Sequence, residues 1–592
     1  MGEGAAVLAS RWRAMAMGRA LLRTSASVRA ATAAISVSAL QMPKRLLIAP
    51  PDPRTHDPTV AEDILEGYFV FAGKVMQAQG RSPFEVVPPS PQWESMLNGF
   101  GWLRHLRFAD NPKAAAEARR HVADFIRLKK QNGGTAWAAP VVARRLMSWI
   151  SASPFLLEGA DIVFYRRFLR AIGQHGRYLL VGLSGGFAVE ERFICAIAIC
   201  ALALSSDAKP RLMRISLRAL LIEMRRCILH DGGHVSRSPR AVVDLLLDLL
   251  PLRHLFLAKS LAPPEALQSA IARSLRLLRL LRHGDGNLGL FHGMGYMPAD
   301  SLAIVSRYDL AVPEPLVSAP DSDYERLTGG SSVLLVDVGG PPPFDFSRGA
   351  HAGALAFEFS DGPWRMIVNC GAPATGTMAA REAARHTAAH STLTIADTSS
   401  CHFEARGNRA LSPAIIGDAP PPKFLREADA AGVRLTAMHS GYAHRFGLLH
   451  ERGLAVSGDG SSIHGLDALI DADPKRPPGA VPFAVRFHLH PSVRANIDAK
   501  DGAVTLDLPN GAAWRFEVAG QSVRLDDSVF YAAPDGAGRS RQMVVETQSS
   551  LTREIAWRFT RLREAASPPE AGRAQPGASP EGTDRGSPPH GP

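Results

Sequence analysis

Two hydrophobic textures divide this chain. From about residue 110 to 310, apolar positions recur at helical spacing in a succession of segments: Ala114 to Lys130, Val141 to Ser151, Phe164 to Val181, Phe193 to Ser205, Arg211 to Leu229, Ala241 to Leu257 and Pro264 to Arg282. Short Gly, Pro, Ser or Asp punctuation separates them, which predicts antiparallel helical hairpins. No fixed repeat period runs through them, so a closed toroid is expected rather than an extended solenoid. Near residue 330 the pattern turns to strands, at Ser332 to Val338, Ala354 to Ser360, Trp364 to Asn369, Ser391 to Ile395 and Val433 to Met438. Ala484 to Leu489, Ala503 to Leu508, Ala513 to Val518 and Gln542 to Thr547 continue the series, and many short strands between Gly, Asp and Asn turns predict an antiparallel sandwich. Ahead of the helices, Tyr68 to Phe71 and Phe84 to Val87 read as two short strands, followed by turn-rich residues 88–91 and by Phe100-Gly101-Trp102.

Composition adds bounds. With 592 residues, 46% hydrophobic and 21% charged, the chain is long enough for two sizeable cores. Its 67 Lys and Arg against 56 Asp and Glu leave a net charge of +11, which favours an anionic partner: nucleic acid, an anionic membrane surface or an acidic polysaccharide. Much of that surplus is N-terminal, where Arg11, Arg13, Arg19, Arg23, Arg29, Lys44 and Arg45 face Glu3 alone, so the body is only mildly basic. Cys195, Cys200, Cys227, Cys370 and Cys401 form neither a disulfide framework nor a CxxC motif and read as small buried apolar residues. The stretch from Ala30 to Leu40 is too weakly apolar for a strong secretory signal, and Arg or Lys interrupts every Leu-rich run, so no transmembrane segment is expected and the protein should be soluble.

Four motifs then carry a resemblance. They are Trp137-Ala138-Ala139-Pro140 with Arg144-Arg145 and Trp149; Asp231-Gly232-Gly233-His234 with Arg237-Ser238-Pro239; His351 through Glu358; and Arg385 through Leu393. Together they resemble the W-x-P-x-x-x-x-R-x-x-x-W helix, the DGG-H-x-x-R-S-P loop, the H-A-x-x-L-S-F-E strand and the R-x-T-x-A-H-N-T-L segment of the heparinase II/III family of polysaccharide lyases. The resemblance covers about residues 45 to 560. It implies an α+β multidomain chain: an incomplete (α/α) toroid of helical hairpins over 57–320, then an antiparallel β-sandwich over 321–564. Residues 1–56 are expected to be a basic flexible extension and 565–592 a disordered tail, rich in Pro, Gly, Ser and Glu.

The resemblance also implies a reaction, β-elimination on the C4 side of a uronic acid within an acidic polysaccharide. Such a site must neutralise the uronate carboxylate, supply a base near C5 and protonate the departing O4. This chain departs from the lyases at three proton-handling positions: their Asn-His pair meets Glu191-Arg192, their Tyr falls on Ala241, and a catalytic His falls on Gly349. The remaining catalytic candidates are His234, Arg237, Arg192, His292 and Tyr296. His234, between a Gly-Gly turn and a helix start, is placed to act as acid or base, or else to cap that helix. Arg237 has the planar fork that clamps a carboxylate, or that closes an ion pair. His292 and Tyr296 lie in a Gly-rich turn that joins domains as readily as it lines a cleft.

His351, Asn369 and His390 match the family's structural zinc ligands, with Asn369 in place of the usual Asp. A neutral amide binds zinc less well than a carboxylate, so the alternative is a pair of buried, hydrogen-bonded histidines. His488 and His490 read as structural. No phosphate loop, G-x-S-x-G elbow or HExxH motif is present. Arginines are scattered rather than clustered with aromatics, so nucleic acid is the outsider among partners. Two readings lead: a lyase acting on a uronate polysaccharide with altered catalytic residues, and an acidic-glycan-binding relative without elimination chemistry. Family resemblance implies the cell envelope or periplasm; the weak signal favours the cytoplasm. Neither the oligomeric state nor the particular polysaccharide is legible.

Overall fold

The computed structural model describes residues 40–128, 133–308, 316–404, 413–416, 423–475 and 478–564. The expected tail over 565–592 and residues 1–39 of the expected extension lie outside the described residues.

The helical half opens with α1 (Pro58–Leu65), a hairpin of Tyr68–Phe71 and Lys74–Gln77, α2 (Pro91–Gly99), α3 (Leu103–Arg107) and α4 (Ala114–Leu128). It continues with α5 (Ala139–Ser151), α6 (Ser153–Leu157), α7 (Ile162–Val181), α8 (Arg192–Ser205), α9 (Pro210–Cys227), α10 (Pro239–Ala258), α11 (Glu265–Leu280) and α12 (Ala299–Ser306). α2, α5, α8, α10 and α12 pack on one another in sequence as an inner row, while α4, α7, α9 and α11 pack outside them. The sequence dictates this sorting. α8 buries all but two of its residues and can survive only among other helices, whereas α9 shows Arg211, Arg214 and Arg218 to solvent and buries Leu212, Ser216 and Leu220.

One predicted strand is corrected. Phe84 to Val87 is a turn, and the partner of Tyr68–Phe71 is Lys74–Gln77. Phe84 is drawn instead into an aromatic cluster, 5.5 Å from Phe100 and 5.4 Å from Phe125 between ring centroids, and that burial overrides the local strand pattern. The Arg145 of the first motif sits inside the same cluster. Its guanidinium donates to the carbonyls of Asn98 and Ala136, both at 2.9 Å, and lies 4.3 Å over the Phe125 ring, and burial lowers its pKa to about 9. The motif is therefore a folding feature of the toroid.

The C-terminal half is built mainly of two antiparallel sheets. One has eight strands in the order Lys423–Asp429, Gly432–His439, Leu448–Ser457, Ser462–Asp471, Glu554–Arg563, Ala513–Val518, Val504–Asp507 and Arg494–Ile497. The other runs from Arg524–Ala533 through Gly536–Gln548, Pro482–Leu489, Trp364–Val368, Phe357–Asp361, Ser332–Asp337 and Tyr324–Gly329 to Ser318–Ala319. Phe357, Phe487, Trp514, Trp557 and Phe559 fill the space between the sheets. Where the halves meet, His283 Nδ1 bonds Ser360 Oγ and its Nε2 bonds Glu358, both at 2.9 Å and all buried. All five cysteines are free thiols, with Cys401 alone partly accessible.

Candidate functional site

The DGGH loop between α9 and α10 is a hairpin, closed by Leu229 N donating to the Gly233 carbonyl and Val235 N to the Cys227 carbonyl, each at 2.8 Å. Gly232 holds a φ of +97°, and a Cβ there would stand 2.2 Å from the Arg273 backbone, so only glycine fits. Asp231 accepts from Ser322 N at 2.6 Å and Ser322 Oγ at 2.7 Å, fastening the loop to the start of the sandwich.

Arg237 follows in a left-handed conformation, φ +59°, held by what its side chain and carbonyl grip. Nε donates to the Ser322 carbonyl at 3.0 Å, Nη1 to the Gly340 carbonyl, and Nη2 to the Asp323 carbonyl at 3.1 Å and to Asp337. Its own carbonyl accepts from the Tyr324 hydroxyl. All three guanidinium nitrogens are engaged by protein, so of the two roles expected of Arg237 the ion pair is the one seen, as a buried tie between the two halves.

His292 shares this cluster. Its Nδ1 accepts from His351 N at 3.3 Å, which places the ring proton on Nε2, 2.9 Å from Asp337 Oδ2. Burial lowers the His292 pKa, partly offset by Asp337. Burial alone would raise Asp337, but Arg237 and His292 outweigh it and bring the carboxyl down to about 2. Asp337 was not foreseen; the available signal was a carboxylate ending the otherwise apolar strand Ser332–Asp337.

The other candidates are dispersed. His234 Nδ1 accepts from Ser236 Oγ at 2.7 Å, and the Phe346 ring stands edge-on at 6.0 Å; desolvation lowers its pKa to about 4. Phe346 ends a short 3-10 turn, Phe344–Phe346, that packs against a second one, Val189–Glu191, at the head of α8. The sandwich thereby brings Phe346 up to the toroid face where Glu191 and His234 lie. Arg192 donates Nε to Glu223 at 2.8 Å, and Arg226 takes the other carboxylate oxygen at 2.9 Å, so its partners are on α9 and not in the Arg237 group. Tyr296 is half-buried and lines a separate cavity of about 280 Å³ with Arg365, His490 and Phe530.

The His351, Asn369 and His390 set can be tested for zinc. His390 Nδ1 donates to the His386 carbonyl at 2.9 Å, leaving Nε2 to accept from His351 Nδ1 at 3.0 Å. Burial lowers both imidazoles, His390 to about 4. Asn369 Oδ1 is occupied by Ser391 N at 3.0 Å, and Nδ2, a donor and no ligand, is buried without a partner. Among the described residues no group of three His, Cys, Asp or Glu side chains is arranged to hold a metal. With Asn369 Oδ1 held by Ser391 N, only the two imidazoles remain as ligands, one short of the three protein ligands that a zinc site needs. His488 Nε2 donates to the Ala388 carbonyl at 3.0 Å, and its Nδ1 lies 2.8 Å from Ser528 Oγ, a core role.

Residues 311–558 match the family described as Heparinase II/III-like, C-terminal. Over 544 residues the chain is 32% identical to FtsZ-localized protein C of Caulobacter vibrioides, covering 88% of this chain and 91% of that protein. The chain belongs to the heparinase II/III family. Among solved heparinase-type structures, Heparinase III aligns at a TM-score of 0.65 with 13% identity, covering 83% of this chain and 80% of that one. Heparan sulfate lyase HepC from Pedobacter heparinus aligns at 0.57 with 15% identity, covering 92% and 90%. At such identities the likeness speaks for the fold, a helical toroid followed by a β-sandwich. No helix among the described residues is long and apolar enough to cross a membrane.

Proposed function

We propose that this chain is a heparinase II/III-fold protein that has given up elimination chemistry and serves as a localisation component alongside FtsZ. One observation carries the first half: the two best-placed polar side chains of the junction, Arg237 and His292, are buried and spent on Asp337 and backbone groups. A uronate needs a free cation for its carboxylate and a base near C5. Every guanidinium nitrogen of Arg237 already donates to a protein acceptor, and the Phe346 ring stands edge-on beside a half-buried His234. The positional half rests on the likeness to FtsZ-localized protein C, which runs through toroid and sandwich alike. The chain is then expected in whatever compartment FtsZ occupies.

The test has two arms. Purified protein is incubated with a panel of uronate polysaccharides while ultraviolet absorbance of the unsaturated product is followed, and a fluorescent fusion is imaged together with FtsZ. No product and coincident localisation are expected. Accumulating unsaturated product would restore the lyase reading, and a fusion spread without regard to FtsZ would remove the positional one.

A further inference from the structure

A second polar cluster lies in the bore of the toroid, toward the C-terminal ends of the inner helices, whereas the His234 loop precedes the N-terminal end of α10. Residues 44–54 run there as a strap. Lys44 N and Arg45 N donate to Asp207 Oδ1 at 2.9 and 3.1 Å, Leu47 N donates to the Ser205 carbonyl at 2.7 Å, and Pro50 accepts from Ser151 Oγ at 2.8 Å. Between strap and inner helices is a cavity of about 60 Å³, lined by parts of α5, α8 and α10 and by Asp52, Arg54 and Arg104.

Its charges do not cancel. Asp248 is claimed twice: Arg54 Nη2 reaches it at 2.7 Å, and Arg144 grips it with two bonds of 2.7 and 3.0 Å. Asp52 lies 3.5 Å from Arg54. Arg104 also faces the cavity but meets no carboxylate within ion-pair distance among the described residues; Nε goes to the Thr55 carbonyl at 2.8 Å and Nη1 to the Gly101 carbonyl at 2.6 Å. Three guanidinium groups against two carboxylates leave one positive charge over. Burial lowers the Arg104 pKa; Asp52 opposes the shift without reaching ion-pair distance, and Arg54 and Arg144 add to it, so an anion seated on Arg104 would relieve it. The far wall is aliphatic, with Ile197, Ala201 and Leu252. Pro251, inside α10, has no N–H to give the Leu247 carbonyl, and both residues line the cavity, which leaves one backbone acceptor beside the cation.

We propose that this cavity binds a short aliphatic monocarboxylate, its carboxylate on Arg104 Nη2 and its carbon chain against Ile197, Ala201 and Leu252. One surplus charge suits a monoanion, and the volume suits about four to six non-hydrogen atoms at one water-sized site per roughly 10 to 15 Å³. A 2-hydroxyl on the ligand would give the Leu247 carbonyl its missing donor, so lactate is expected to bind more tightly than propionate.

The probes are acetate, propionate and lactate, with chloride and inorganic phosphate at matched ionic strength as controls. Line broadening of carboxyl-labelled propionate reads binding to the full-length protein, and melting temperature reads its linkage to folding. A saturable effect with the carboxylates and none with chloride is expected. Arg104→Gln should weaken it about ten- to hundredfold, the loss of one charged hydrogen bond. Ala201→Leu fills the aliphatic end without touching the cation and should also abolish it, which separates lost binding from lost folding. No broadening with wild-type protein, or the same response in chloride, would overturn the proposal. So would a phosphate response larger than that of the carboxylates, or an unchanged response in folded Ala201→Leu protein.

Discussion

Arg237 and Asp337 are 100 residues apart in sequence, yet they close one buried ion pair where the toroid meets the sandwich. Neither could be buried alone, because an unpaired charge in the interior costs several kcal/mol. The pair makes the docking of the halves conditional on both residues, and it takes up the cation that a carboxylated sugar would have needed.

Removing one partner should therefore cost more than removing both. Asp337→Asn leaves Arg237 buried and unneutralised and is expected to lower unfolding stability by about 3 to 5 kcal/mol. Arg237→Met combined with Asp337→Leu should cost less than that single change. Urea titration of the three proteins checks the order, and a midpoint unmoved by Asp337→Asn would contradict the assignment.

Acid should destabilise the fold well above the carboxylate range. Burial lowers His121 and His390 to about 4 and His488 to about 3, whereas an unfolded chain titrates histidine near 6.5. Between those values the unfolded state binds the extra protons, so stability is intact above about pH 6.5 and falls as pH drops toward 4. Calorimetric scans from pH 7.5 to 4.5 should show a steadily falling melting temperature, and a flat profile would refute the neutral, buried assignment.

A carboxylate at position 369 should create the metal site that the natural residue withholds. Asn369→Asp beside His351 and His390 is expected to give a melting temperature that rises with added zinc and falls with chelator. The unaltered protein should respond to neither; a chelator-sensitive wild type would mean that the two histidines already share a metal.

The covering of the toroid face can be checked through His234. Phe346→Ala removes the ring that stands 6.0 Å away and admits water, so the His234 pKa should climb from about 4 toward 6.5. An NMR titration of the imidazole reads the shift directly, and an unchanged value would mean that other groups desolvate it.

Gly295 is a backbone junction. It bridges Ala372, and a Cβ there would stand 2.1 Å from the Ala372 carbonyl oxygen. Gly295→Ala should loosen the joint by about 2 kcal/mol or more, seen as faster proteolysis between the halves. A protease pattern identical to wild type would show that the joint does not depend on this contact.

Much of the architecture was legible in the residues. Helical spacing from Ala114 onward and alternation from Ser332 onward are local consequences of burying one face, so the order of toroid and sandwich could be read directly. The strands Leu448–Ser457 and Ser462–Asp471 were not, because their inward faces carry His450, Arg452 and Asp467. Arg452 and Asp467 are directly opposed and joined by bonds of 2.8 and 3.0 Å, with Trp557 Nε1 on the same carboxylate at 2.8 Å. A buried charge looks like a surface charge until its partner is known.

The same reason divides the site. The sequence by itself determined which side chains were available and where the Gly-Gly turn before His234 falls. Only the tertiary structure decided that Arg237 and His292 are consumed by Asp337, that Arg192 belongs to Glu223, and that Phe346 stands edge-on beside His234. Local periodicity reports whether a residue is buried, but what a polar residue does once buried depends on groups that chain distance does not encode.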